Sequence, residues 1–129
     1  MKRAISILFV AAVVGILGVA TASARTSFPT KITHDGSVTL PGGETIVSGH
    51  VTSSYRLCSL LRAMKLIGHY PDGSAQLLDA ALTSIRGAWA TKADLSGADR
   101  VKAVVTKSAF RIHHRRKVCE PAAVVWALP

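Results

Sequence analysis

Asparagine is missing altogether from this 129-residue chain, which excludes both N-glycosylation and the Asn-Gly hairpin turn. Turns must therefore come from Gly, Pro, Asp and Ser. Acidic residues are scarce too, seven against 16 Lys and Arg. Asp35, Glu44, Asp72, Asp79, Asp94, Asp99 and Glu120 lie mostly beside turn residues, which explains them as local backbone caps before any acid–base pair is invoked. Aromatics are few (Trp 2, Tyr 2, Phe 3), so a ring-lined binding cleft would leave little for a core. No G-x-S-x-G, H-E-x-x-H, S-x-x-K, P-loop or G-x-G-x-x-G pattern occurs. Of five histidines only His113 and His114 are adjacent, and on a strand they would point to opposite faces and could not chelate one ion together. The expectation is a protein with no catalytic residues, no metal site and no cofactor, and not an enzyme.

What is present begins at the N-terminus. Lys2 and Arg3, an apolar run from Ile5 to Ala20, and Ala22-Ser23-Ala24 before Arg25 are the three parts of a secretory signal peptide in order. The apolar run is shorter than the ~20 residues needed to span a bilayer, and the A-x-A end predicts cleavage after Ala24. Residues 1–24 then leave as the signal and 25–129 remain as one domain, with no membrane span in the mature chain. Lys2 and Arg3 leave with it, so 14 basic residues face seven acidic ones, a balance that favours encounter with anionic partners. The expected localisation is secreted, extracellular or associated with the cell envelope.

Cys58 and Cys119 are the only cysteines, and neither sits in a C-x-x-C or beside a histidine at metal-binding spacing. In an oxidising compartment they read as one intramolecular disulfide. Closing a loop of about sixty residues, it should stabilise the fold by roughly 4 kcal/mol.

Past the leader, strand-length runs alternate with turn chemistry. Thr30–His34 ends at Asp35-Gly36, Glu44–Ser53 follows Pro41-Gly42-Gly43, and Ala63–Tyr70 runs into Pro71-Asp72-Gly73-Ser74. Ala75–Thr83, Ala88–Ala93, Arg100–Thr106 and Ala122–Leu128 complete about seven strands, the rhythm of an antiparallel β-sandwich. A helical reading competes: Leu57, Leu60, Leu61 and Met64 fall at i, i+3, i+4 and i+7, and Leu78, Leu82, Ile85 and Trp89 make a second stripe. Helices near 55–67 and 75–89 would give an α+β fold instead, and periodicity alone does not separate the two readings.

Several segments carry a resemblance. Ser48-Gly49-His50-Val51, Cys58 followed by Arg62-Ala63-Met64-Lys65-Leu66, the Pro71–Ser74 turn, Thr83-Ser84-Ile85-Arg86-Gly87-Ala88-Trp89, and Lys102-Ala103-Val104 followed by Val118-Cys119 are similar in pattern to small secreted, disulfide-bridged immunoglobulin-like sandwiches of bacterial exported proteins. The prealbumin-like and carboxypeptidase-regulatory-like domains share that pattern. Two positions depart from it, Ser84 where an acid is usual and Val101 where an aromatic is. The resemblance implies an all-β sandwich and a structural or adhesive role more than an activity.

Trp89 and Trp126 have small or aliphatic neighbours and read as core rather than as a sugar-stacking platform. The one segment able to carry chemistry is Arg111-Ile112-His113-His114-Arg115-Arg116-Lys117. Arg111, Arg115, Arg116 and Lys117 with His113 and His114 could grip phosphate or sulfate groups. The plainer reading is a solvated hairpin whose charge keeps a sheet edge from pairing. The sequence thus points to a monomeric structural or interaction module. Its partner is expected to be an anionic cell-wall polymer, a glycan or a protein, with no specific nucleic acid indicated.

Overall fold

The computed structural model describes residues 26–129, and the expected signal peptide, residues 1–24, lies outside them. The fold is all-β, in three small sheets. Strands β1 (Ser27–Phe28), β8 (Ser108–Ile112) and β9 (Arg115–Cys119) form one sheet in the order β1-β9-β8. A second runs β10 (Ala122–Ala127), β7 (Arg100–Val105), β4 (Ala63–His69), β5 (Ala75–Leu82), and the third β2 (Lys31–Thr39), β3 (Thr45–Thr52), β6 (Ala88–Ala93). All pairings are antiparallel except β1 with β9.

Period-2 alternation drives this arrangement. Val47 and Val51 on β3, Met64 and Leu66 on β4, Val101, Ala103 and Val105 on β7, and Trp89 and Ala93 on β6 all point one way and are buried. They and Ile32 form a single core shared by the second and third sheets. At the margins of those sheets β10 lies alongside β2, and β5 alongside β6. Gly49 is required where Trp89 enters this core: a Cβ there would sit 1.8 Å from the Thr33 carbonyl oxygen and 2.7 Å from the indole.

All seven expected strands form, six of them within a residue of their expected limits; the first, expected to end at His34, runs on to Thr39. Asp35-Gly36, however, does not end β2: it makes a bulge, with the register against β3 shifting between His34 and Gly36. Neither helical stripe forms. The segment 55–67 holds one 3₁₀ turn at Arg56–Cys58 before β4, and 75–89 holds β5 and the start of β6. Leu57 and Leu61 of the first stripe are exposed, so its helical spacing marks no buried face. The disulfide does form, joining Cys58 to Cys119 with Cα atoms 5.3 Å apart and both residues fully buried.

Candidate functional site

Beside that disulfide lies a group the sequence did not single out. Arg62 is only 2% exposed. Its guanidinium donates to the carbonyls of Cys58 (2.6 Å), Thr106 (2.7 Å) and Glu120 (3.0 Å) and to the Thr30 hydroxyl (3.1 Å). Burial holds its pKa below the ordinary arginine value. Three carbonyls and a hydroxyl, from four separate segments, take the place of a carboxylate, which makes Arg62 a clamp rather than a binding group. Thr83, also buried, accepts from the Arg62 N–H (2.7 Å) and donates to the Ser59 carbonyl (3.1 Å).

From this clamp the chain runs through Thr106 into β8, and the basic segment becomes the β8–β9 hairpin. His113 and His114 form its two-residue turn at φ 51° and 65°. Positive φ at both central positions is what the right-handed twist of a two-residue hairpin demands. Histidine tolerates that region better than most residues, and here it stands where Asn-Gly would serve. His113 and His114 are therefore turn residues, not strand residues facing opposite ways.

Strand alternation then divides the cations. Phe110 pairs with Lys117 and Ile112 with Arg115 on one face, while Arg111 pairs directly with Arg116 on the other. The six candidate residues thus share one hairpin but not one surface. On the first face Phe28, Tyr55 and Phe110 form a column of rings. Centroids are 4.3 Å apart for Phe28–Tyr55 and 6.1 Å for Tyr55–Phe110, and the Lys117 ammonium lies 5.7 Å from the Phe28 ring. Ala109, Arg111 and Arg116 of the second face, together with Phe110 from the edge of the first, line a cleft of about 160 Å³. Arg111 donates a long bond (3.4 Å) to the His114 carbonyl. Among the described residues no carboxylate lies within salt-bridge distance of Arg111, Arg115 or Arg116.

A second polar cluster sits at the β2 bulge. The Asp35 carboxylate is paired with the His50 ring and accepts from the Thr33 hydroxyl (2.8 Å), and these bonds, His50 first, hold its pKa below the usual carboxylate value. His34 shares a hydrogen bond with Ser37 (2.9 Å) and stacks on Trp126, 3.8 Å between centroids. Trp126 packs at the core margin under that imidazole, and Trp89 is fully inside. Among the described residues no three His, Cys, Asp or Glu converge as a metal site would require, and no helix is long and apolar enough to cross a membrane. Compared with known proteins, the chain matches no family model, no curated protein and no solved structure.

Proposed function

We propose that this protein is an exported, non-enzymatic interaction module that holds an anionic polymer, either a cell-wall polyanion or an acidic glycan, with the β8–β9 hairpin. The observation that carries the reading is the Arg111–Arg116 pair. Like charges directly opposite each other on neighbouring strands are destabilising, by up to about 1 kcal/mol. A phosphate or sulfate group between the two guanidinium forks removes that repulsion and satisfies both. Arg115 lies on the other side of the same ribbon, within reach of a chain that wraps the edge. The signal-like leader and the disulfide support export. A core shared by two sheets supports the immunoglobulin-like sandwich suggested by the sequence pattern.

Retention on heparin against salt tests the reading. Binding should weaken linearly in log salt, and Arg111→Ser with Arg116→Ser should lower the slope by about two, with thermal stability unchanged or higher. An unchanged slope would reduce the hairpin to a solubilising edge.

A further inference from the structure

The segments that join strands beside the disulfide present apolar side chains to solvent. Leu61 is 59% exposed and Ile85 68%, and Leu57 and Leu82 are exposed with them. They belong to one end of the molecule: the Leu61 N–H donates to the Ser84 carbonyl (3.3 Å), and Ile85 and Arg86 fill the middle of the turn closed by the Gly87 N–H on Ser84 (3.0 Å). Leu57 and Leu60 meet Ser108 and Phe110 around a cleft of about 220 Å³, which brings the segment after β7 to the same end.

Two features make this more than scattered surface leucines. Leu61 is held at φ 51°, a conformation costly for a bulky side chain, and the strain is spent on placing an apolar group in water. Charge is the second. Residues 53–62, 83–87 and 106–107 contain no acidic residue, while Arg56, Arg86 and Lys107 are exposed among the apolar tips. The acidic side chain that borders this end, Glu120, accepts from the Ser27 hydroxyl (2.9 Å).

Protruding apolar side chains ringed by cations match one kind of partner, a surface apolar just beneath a layer of negative charge. We infer that this end docks on an anionic phospholipid bilayer, with Leu61 and Ile85 entering the headgroup boundary and Arg56, Arg86 and Lys107 lying against phosphates. A folded protein partner would ask for a broad complementary face, whereas turn tips present little area for one. Docking here does not depend on what the hairpin holds.

The test uses vesicles of phosphatidylcholine alone and of an equimolar mixture with phosphatidylglycerol. The protein should sediment with the mixed vesicles and not with the neutral ones. Leu61→Asn with Ile85→Ser should lower partitioning about tenfold while leaving the melting temperature in place, because Asn accepts positive φ. Arg56→Ser, Arg86→Ser and Lys107→Ser should each lower it about fivefold. A Leu61→Trp reporter should shift its emission to the blue with mixed vesicles and be quenched by brominated lipid. Arg111→Ser with Arg116→Ser should weaken heparin retention yet keep the blue shift, which separates the two surfaces. No sedimentation with mixed vesicles at low salt overturns docking. So does sedimentation without quenching of Trp at position 61, since charge alone then holds the protein, and so does a dimer that buries Leu61 and ignores vesicles.

Discussion

Where β3, β5 and β7 finish and β4, β6 and β10 begin, the connections hold Arg56, Arg62, Arg86 and Lys107, with Glu120 the acid nearby. At the opposite end, the connections around Glu44, Asp72, Asp94 and Asp99 hold four of the seven acidic residues. The two ends also close differently. The acidic side chains cap their turns through near neighbours in sequence: Asp72 accepts from the Ser74 N–H (2.9 Å) and hydroxyl (2.6 Å), and Asp94 from the Ser96 N–H (3.0 Å), while the backbone of Asp99 bonds to His69 and Leu128 (2.9 Å each). The basic end has local turn bonds too, at Ser59 and Gly87, but adds long-range side-chain links, a disulfide across 61 residues and a guanidinium that reaches from Thr30 to Glu120. Local turns fold independently of one another, whereas the disulfide and clamp tie their segments into one cooperative unit. Such a unit can hold a residue as strained as Leu61 in place.

Removing the basic end's supports should therefore cost the most. Replacing Cys58 and Cys119 by Ala should lower unfolding free energy by roughly 4 kcal/mol in urea denaturation, the loop-closure value for this separation. Arg62→Met should cost about 3 kcal/mol, because the carbonyls of Cys58, Thr106 and Glu120 lose their donor inside the protein. The two losses should fall short of additivity in the triple variant, since two of those carbonyls belong to, or directly follow, the bridged cysteines. Strict additivity would mean that bridge and clamp act as separate supports.

Smaller and opposite in sign is the hairpin turn. His114→Gly removes the cost of positive φ at one of two positions and should stabilise by about 1 kcal/mol, partly offset by the extra freedom of the unfolded chain. A loss of stability would show that the imidazole contributes packing that its exposure does not suggest.

What was legible in the sequence follows the same division. Strands with a Gly-, Pro- or Asp-marked turn are readable where the turn chemistry and the period-2 pattern agree; at Asp35-Gly36 the turn signal instead marks a bulge inside β2. β8 and β9 were not, although Phe110 and Ile112 alternate with Arg111 as a strand should. Four fixed charges hid the alternation, and His113-His114 gives no conventional turn signal. β1, two residues long, has no periodicity to read. Arg62 was missed for a different reason: an arginine among apolar neighbours nearly always reaches solvent, and its acceptors come from residues up to 58 positions away. The apolar spacing from Leu57 to Met64 suggested a helix, yet it arises from loop leucines, Leu57 and Leu61 exposed and Leu60 half-buried, followed by a buried strand residue. The basic hairpin was found as a charge cluster. Its split into two faces needed the register.

The smallest effect separates the two ends by pH. Serine hydrogen bonds, side chain first and then backbone, hold the Asp72 and Asp94 carboxyls below their ordinary value of 3.8. Because the folded values lie below the unfolded ones, the stability these groups contribute is complete above about pH 3.8 and is lost as pH falls through the depressed values. At the basic end the connections 53–62, 83–87 and 106–107 contain no carboxylate. Amide shifts followed from about pH 5 to about pH 2 should therefore move at Ser74 and Ser96 with midpoints below 3.8, while Ser59, Gly87 and Thr106 stay still until global unfolding. Asp72→Asn should abolish the step at Ser74 and spare the one at Ser96, since the two turns share no partner. Movement of the basic-end amides at those same midpoints would show that acid acts on the whole fold at once, and the distinction between a locally capped end and a long-range clamped one would fail.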